Sequence, residues 1–198
     1  MVNAHDLLWG MRPGHLPADA PGWALDVLGA GHPVVVRRAV TDAGWLPVGV
    51  RGPLREQRYA TLMPVQAIER RVPPQALRTV TSSRAVPALR ALDQLRPLLG
   101  CLDWGVAGSA GFELATGVEA LHARSDLDLI VCMPEPLDRC AARELLALLD
   151  TAVCAVDLQL QTPFGAVALR EWAGTAARVL LKTNCGAQLV VDPWRAVA

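Results

Sequence analysis

The chain has 198 residues, of which 52% are hydrophobic, so it can bury a substantial core in one or two domains. Its 19 basic and 19 acidic side chains cancel, which argues against a generic nucleic-acid-binding protein. The sequence has no run of 18 apolar residues and no secretory signal pattern. Its five scattered cysteines predict buried thiols in a reducing compartment, and hence a cytoplasmic location.

Charge is unevenly distributed along the chain. Residues 1–84 contain ten arginines and six acidic residues, whereas residues 85–198 contain nine basic and thirteen acidic residues. The basic first half could bind a polyanionic ligand or an acidic protein partner. An ordinary solvated surface is the alternative explanation for so modest an imbalance.

The first half predicts a small α+β unit that is rich in turns. His5–Trp9 forms a short apolar anchor, and three arginines, Arg51, Arg55 and Arg58, follow one another closely. The predicted elements are a helix over 21–28, strands over 33–38, 45–52 and 59–63, and a short helix over 64–70.

Paired prolines and polar residues make 71–83 the predicted linker. The predicted domains are therefore 1–80, for substrate or carrier binding, and 81–198, for catalysis. Alternating strands and helices in the second domain indicate an α/β sheet. Its predicted helices cover 88–99, 110–115 and 136–149, its strands cover 103–107, 127–132, 152–161 and 179–183, and 166–172 is either a strand or the start of a helix.

A Gly-Ser pair comes directly after the first strand of this second domain. Gly108 and Ser109 would form a turn whose backbone N–H groups suit phosphate oxygens. The helix predicted over 110–115 would point its N-terminus at this turn and add a favourable dipole. A lone Gly-Ser pair is usually an ordinary turn, so its interpretation depends on the acidic residues further along the chain.

Two aspartates precede and enter the next strand. Asp126 and Asp128 would project from one face of a strand, with Leu127 and Leu129 on the other. Adjacent carboxylates repel each other unless a cation lies between them, and their oxygen atoms suit Mg²⁺. The Gly-Ser turn and these aspartates together indicate a metal-dependent phosphoryl or nucleotidyl transfer site.

A third aspartate lies in the alternating strand Val156–Leu160. If this strand lies beside that of Asp128, Asp157 would complete a set of three acids able to share metal ions across a phosphoryl displacement. Asp157 could also orient or deprotonate a hydroxyl nucleophile. Without the other motif, an exposed strand aspartate would be the preferred interpretation.

These motifs resemble those of the nucleotidyltransferase superfamily, and other segments narrow the match. The segments are His5–Trp9, Pro47–Gly52, Arg55–Arg58 and Gly105–Ser109. Over nearly its full length, the chain resembles the phosphoribosyl-dephospho-CoA transferase family of the malonate decarboxylase system, the malonate holo-[acyl-carrier-protein] synthases.

The resemblance implies a nucleotidyltransferase-like mixed sheet with flanking helices, an α/β or α+β fold, after a smaller α+β domain. It also implies a reaction. The family joins the phosphoribosyl-dephospho-CoA group of 2′-(5-triphosphoribosyl)-3′-dephospho-CoA to a serine of the apo acyl carrier protein of malonate decarboxylase. A phosphodiester forms and pyrophosphate leaves.

Carried over to this sequence, the resemblance gives each candidate residue a role. Asp126 and Asp128 would hold Mg²⁺ against the triphosphate, and Asp157 would support the metals and the carrier hydroxyl. Gly108 and Ser109 would bind the β- and γ-phosphates. Lys182, the only lysine, would neutralise the leaving pyrophosphate. The dephospho-CoA phosphates or the acidic carrier protein would be bound by Arg51, Arg55 and Arg58.

Two other functions remain open from the sequence. The chain could be a nucleotidyltransferase that uses ATP or CTP and modifies RNA, a drug or another protein. It could instead be a non-catalytic nucleotide- or carrier-binding module, although such a module has no need of a repulsive carboxylate set. The residues alone do not separate a malonate carrier from a citrate-lyase-type carrier.

Overall fold

The computed structural model describes residues 2–196. The chain divides into two compact units, the first ending at Pro73 and the second beginning at Pro74. This division lies seven residues before the boundary predicted after residue 80. The segment Pro74–Leu77 belongs with the second unit because it forms a short 3-10 turn packed on that unit's sheet.

The first unit is built on a five-stranded antiparallel sheet. Its strands are β1 (Leu7–Trp9), β2 (Val34–Val36), β3 (Trp45–Arg51), β4 (Arg58–Pro64) and β5 (Arg70–Val72). Their spatial order is β4-β3-β2-β1-β5. One helix, α1 (Gly22–Gly29), buries Ala24 and Leu28 in a core that it shares with Leu8, Val48 and Met63.

One sequence prediction for this unit is wrong, and another holds in part. The helix expected over 64–70 is only a 3-10 turn at Val65–Ala67, since the chain then becomes extended and forms β5. The predicted linker over 71–83 does contain the division between the units, but it also contributes to β5 and to the Pro74–Leu77 turn. Cross-strand pairing with β1 is long-range and outweighs the local turn signals.

The second unit contains a six-stranded mixed sheet with flanking helices. Its strands are β6 (Trp104–Val106), β7 (Leu127–Cys132), β8 (Val156–Thr162), β9 (Gly165–Ala168), β10 (Val179–Thr183) and β11 (Gly186–Val190). Its helices are α2 (Pro87–Leu95), α3 (Gly108–Thr116), α4 (Arg139–Leu149) and α5 (Leu169–Trp172). The predicted fold class is confirmed.

The sheet runs in the order β11-β10-β9-β8-β7-β6. Only β7 and β8 pair in parallel, and α4 provides the crossover between them. Asp138 caps α4, as its carboxylate accepts hydrogen bonds from the Cys140 and Ala141 N–H groups at 2.8 and 3.0 Å. Leu127, Leu129 and the neighbouring Leu158 are buried on one face of this pair.

Local sequence patterns predicted most of these strands, but two strands differ from the prediction. The strand expected over 152–161 begins only at Val156, and β11 was not predicted. A further prediction is wrong: the five cysteines are not buried thiols. All five are free; Cys154 is partly buried, and the other four are exposed. Apolar neighbours in the sequence do not bury a residue that lies at a strand end, in a loop or, like Cys140, in the exposed first turn of a helix.

No helix within residues 2–196 is both long enough and apolar enough to cross a membrane.

Candidate active site

Strand register brings two of the predicted acids side by side. Asp128 of β7 is directly paired with Asp157 of β8 in the parallel ladder. Neighbouring strands are about 4.8 Å apart, and paired residues project from the same face. On the opposite face, Leu127 and Leu158 are buried, and these apolar contacts fix the register that places both carboxylates together.

The Gly-Ser pair forms the first turn of α3 and lies against Asp128. Gly108 has a φ of +59°, and any side chain there would collide with the Asp128 carboxylate. The Asp128 carbonyl also accepts a hydrogen bond from the Ala107 N–H at 2.9 Å. The positive end of the α3 dipole and Ser109 therefore lie beside an aspartate, an arrangement suited to a cation bridging a carboxylate and a phosphate.

Asp126 and Asp157 share an open cleft of about 530 Å³. Asp126 lies one residue before β7, and Asp157 is the second residue of β8. The other residues lining the cleft are Ala155, Val156, Ala168, Arg170 and Glu171. The structure thus brings Asp126, Asp128 and Asp157 to one end of the β7–β8 pair.

The donor set fits a magnesium ion. Within residues 2–196, no group of three or more His, Cys, Asp or Glu side chains forms a ready-made metal cage. Mg²⁺ does not need such a cage, because it usually takes one or two carboxylates and completes its shell with water and substrate phosphates. Asp128 and Asp157 are neighbours in register, and Asp126 shares the cleft with Asp157, so these aspartates could supply those oxygens.

A buried carboxylate holds the loop that leads to Asp126. Glu113 of α3 is 4% exposed, and it accepts hydrogen bonds from the Ala120 and Leu121 N–H groups at 2.8 and 2.9 Å. Arg84 donates to the other Glu113 oxygen at 2.6 Å. Further along the loop, the Ser125 hydroxyl accepts a hydrogen bond from the His122 N–H at 3.0 Å.

These contacts decide the charge state of Glu113. Burial alone would raise the pKa of Glu113, but the Ala120 N–H, Arg84 and the Leu121 N–H together hold it below its ordinary value. Glu113 is therefore ionised at neutral pH, and it ties α3 to the loop before the acids. The sequence did not reveal this role, although an acid within an otherwise apolar helix was a signal for it.

The pKa of the Cys154 thiol is affected by Asp126, which lines the cleft. Burial, then the negative charge of Asp126, raise the pKa of the Cys154 thiol. The raised pKa disfavours the thiolate, which is the nucleophilic form of the side chain.

The predicted pyrophosphate ligand, Lys182, lies away from the cleft. It is in β10 and pairs with Ala166, which in turn pairs with Gln161. Gln161 is four residues beyond Asp157 on β8, and β10 is two strands from β8. Standard strand spacings put the Lys182 and Asp157 backbones about 16 Å apart.

The three predicted arginines gather in one hairpin of the first unit. Arg51 and Arg58 are directly paired across β3 and β4, and Arg55 lies in the turn between them. Arg58 also donates hydrogen bonds to the Leu54 and Gln57 carbonyls at 3.3 and 2.8 Å. Burial, then the nearby charge of Arg55, lower the pKa of Arg58. Positive charges on paired strands repel each other, and a bound anion would offset this repulsion.

Sequence reasoning missed Arg170 and Glu171, which also line the cleft. They lie on the four-residue helix α5, directly after β9. The only sequence signal was the uncertain segment 166–172, because nothing local shows that a chain returning beside β8 would place these residues next to Asp157.

Two family models cover almost the whole chain. The model of the phosphoribosyl-dephospho-CoA transferase MdcG N-terminal domain matches residues 3–74, and that of the C-terminal domain matches residues 76–193. The chain belongs to the MdcG family of phosphoribosyl-dephospho-CoA transferases. No solved structure matches it.

Curated relatives of this family match along nearly their full length. The chain is 60% identical to a phosphoribosyl-dephospho-CoA transferase of Pseudomonas fluorescens strain Pf0-1, with 98% of this chain and 97% of the relative aligned. It is 62% identical to that of P. fluorescens strain Pf-5, over 96% and 92%, and 53% identical to that of P. aeruginosa, over 96% and 93%. The predicted family and the prediction of a transferase are confirmed.

Proposed function

We propose that the chain transfers the phosphoribosyl-dephospho-CoA group from 2′-(5-triphosphoribosyl)-3′-dephospho-CoA to a serine of the acyl carrier protein of malonate decarboxylase. The names of the relatives and of both family models support the transferred group. The observation that carries the chemistry is the Asp128–Asp157 pair beside the α3 N-terminus.

In this reaction the carrier serine oxygen attacks the phosphorus next to the ribose. A new phosphorus–oxygen bond forms, the bond to the bridging oxygen breaks, and pyrophosphate leaves with that electron pair. Asp157, which is exposed and lines the cleft, would orient the hydroxyl and accept its proton. Gly108 and Ser109 would bind the outer phosphates through the first turn of α3.

Asp126, Asp128 and Asp157 would hold the magnesium. Mg²⁺ bound there would neutralise the triphosphate and stabilise the charge that develops on the leaving oxygen. The surrounding structure holds these carboxylates in place. Asp128 and Asp157 lie on paired strands, and Asp126 follows the loop that Glu113 holds by hydrogen bonds. Catalysis of this kind depends mainly on positioning and charge stabilisation.

The arginine hairpin of the first unit would bind the dephospho-CoA phosphates or the acidic carrier protein. Arg51, Arg55 and Arg58 form a compact positive surface suited to either anion. A cytoplasmic location is part of the proposal, since all five cysteines are free, as is usual in a reducing compartment.

The decisive test is the intact mass of the apo carrier protein. It is incubated with the chain, Mg²⁺ and triphosphoribosyl-dephospho-CoA, with ATP and CTP as parallel donors. A gain equal to phosphoribosyl-dephospho-CoA, requiring Mg²⁺, is expected. A gain of a nucleotidyl group from ATP or CTP alone would overturn the proposed donor, and binding of donor without any transfer would indicate a binding module.

Substitution then tests the site. Asp128→Asn should leave the fold intact and lower turnover by at least about 100-fold, since it removes a charge on which the metal depends. Asp93→Asn is the matched control, because Asp93 is an exposed aspartate of α2 that pairs with Arg96 and lies outside the cleft. Normal turnover by Asp128→Asn would refute the metal site.

A further inference from the structure

Within residues 2–196, Arg170 is the only basic residue that lines the cleft. It enters the cleft because its neighbours on α5 are anchored. Leu169 is 1% exposed, and the Trp172 indole N–H donates to the Leu137 carbonyl at 2.7 Å. Ala168, the last residue of β9, pairs with Gln159, so α5 begins near the end of β8 that carries Asp157, and Arg170 and Asp157 line the same cleft.

The present partner of Arg170 holds it weakly. Its Nη2 atom lies 2.7 Å from Oδ1 of Asp150, at the C-terminal end of α4. Both side chains are more than half exposed, and solvent-exposed ion pairs of this kind contribute little. Asp150 does not line the cleft, whereas Arg170 does, so this weak ion pair leaves the guanidinium able to exchange one anionic partner for another.

The other charges of the cleft define what that second anion would be. Asp126, Asp157 and Glu171 are acidic, and one Glu171 oxygen already accepts a hydrogen bond from the Leu180 N–H at 2.7 Å. A triphosphate bound to metal at the aspartates would therefore leave its outer phosphates needing a cation. A planar guanidinium binds phosphate oxygens in pairs, which makes arginine the better choice than lysine.

We propose that Arg170 is a substrate-binding residue that leaves Asp150 and binds the β- and γ-phosphates of the donor, the group that departs as pyrophosphate. The inference rests on the proposed function, since it takes the donor to be a triphosphate. It gives Arg170 the role that the sequence had suggested for Lys182, whose backbone lies about 16 Å from that of Asp157.

The test combines kinetics with direct binding. Carrier modification is measured against donor concentration for the wild type, Arg170→Ala, Arg170→Lys, Asp150→Ala and Lys182→Ala, and binding of magnesium pyrophosphate is measured by calorimetry. Arg170→Ala should raise both the KM for the donor and the Kd for pyrophosphate by at least tenfold. Arg170→Lys should recover part of this loss, whereas Lys182→Ala should match the wild type.

The Asp150 variant separates binding from a structural role. If the ion pair only braces α5, Asp150→Ala and Arg170→Ala will weaken binding equally, and the proposal fails. If Arg170 exchanges partners, Asp150→Ala will bind pyrophosphate as tightly as the wild type or more tightly. An unchanged Kd in Arg170→Ala would also overturn the proposal.

Failure of the proposed function would look different. A wild-type chain that leaves the carrier unmodified but binds magnesium pyrophosphate through Arg170 would refute the donor and acceptor while retaining the phosphate site. A wild-type chain that modifies the carrier with no contribution from Arg170 would retain the function and refute the inference.

Discussion

The two units hold their charged candidate residues in different ways. In the second unit, Asp128 and Asp157 lie within paired strands whose opposite faces are buried. In the first unit, Arg51 and Arg58 lie where the two strands of a hairpin meet its turn, and Arg55 lies in that exposed turn. Fixed positions suit the bond-making step, whereas an exposed group of like charges suits attraction of an anion over a longer distance.

The largest expected effect tests how closely Asp128 depends on α3. Gly108→Ala should lower kcat by about 100-fold, because the added methyl group would displace the Asp128 carboxylate from its position. Steady-state kinetics of carrier modification provides the measurement.

Gly117→Ala is the matched control at the other end of the same helix. Gly117 also has a positive φ, +74°, but an added methyl group there meets no atom within 4 Å. This variant should lose about 1 kcal/mol of stability through backbone strain and retain its kcat. Equal losses of kcat in the two variants would show that strain, and not the collision, is responsible.

The next effect concerns Glu113, which holds the loop before Asp126 by hydrogen bonds. Glu113→Gln should lower the free energy of unfolding by about 1–3 kcal/mol, since the amide leaves a buried donor without its charged partner. Glu119→Gln is the control: Glu119 is 74% exposed and lies 3.3 Å from the same Arg84, so its replacement should cost less than about 1 kcal/mol. Urea denaturation at neutral pH measures both.

The contribution of Glu113 should also depend on pH in one direction. Its pKa is held below the ordinary value in the folded chain, so the unfolded chain binds the proton more tightly. The ionised carboxylate therefore stabilises the fold above the ordinary pKa of a glutamate, and this stability is lost as the pH falls through the lower folded pKa. A difference between wild type and Glu113→Gln that grew on acidification would contradict this assignment.

A smaller effect is expected from the arginine hairpin. Arg55→Ala should raise the KM for donor or carrier by no more than about tenfold, with kcat preserved and the effect fading in high salt. Arg12→Ala removes an exposed arginine of the same unit that pairs with Glu69, and it should change neither parameter. A fall in kcat without a change in KM would show that Arg55 acts in the bond-making step. The two units would then not differ in the roles of their charged residues.

The smallest effect is on the Cys154 thiol. Asp126→Asn removes the second of the two causes that raise the pKa of Cys154, while burial, the larger cause, remains. Alkylation of Cys154 near pH 8 should become modestly faster, because the thiolate is the reactive form. Site-resolved mass spectrometry gives the rate, with the exposed Cys185 as the internal control. An unchanged rate would place Asp126 too far away to act on the thiol.

Local sequence patterns were enough to predict much of the second unit. Alternating leucines and aspartates predicted the strands of Asp128 and Asp157 and the faces of their side chains, since period-two alternation is a local property. The helices α2 and α4 were predicted from apolar spacing together with Pro87 and Asp138 at their starts. The Gly-Ser pair was found by its order in the chain relative to the acids.

The remaining features could not be predicted from local patterns, because they depend on contacts between residues far apart in the chain. Pairing of β5 with β1 turned part of a predicted linker into a strand. The return of the chain through β9 placed Arg170 in the cleft and left Lys182 two strands away. No local pattern encodes which strands become neighbours, so the acids could be recognised from the sequence, whereas the surroundings that complete their cleft required the fold.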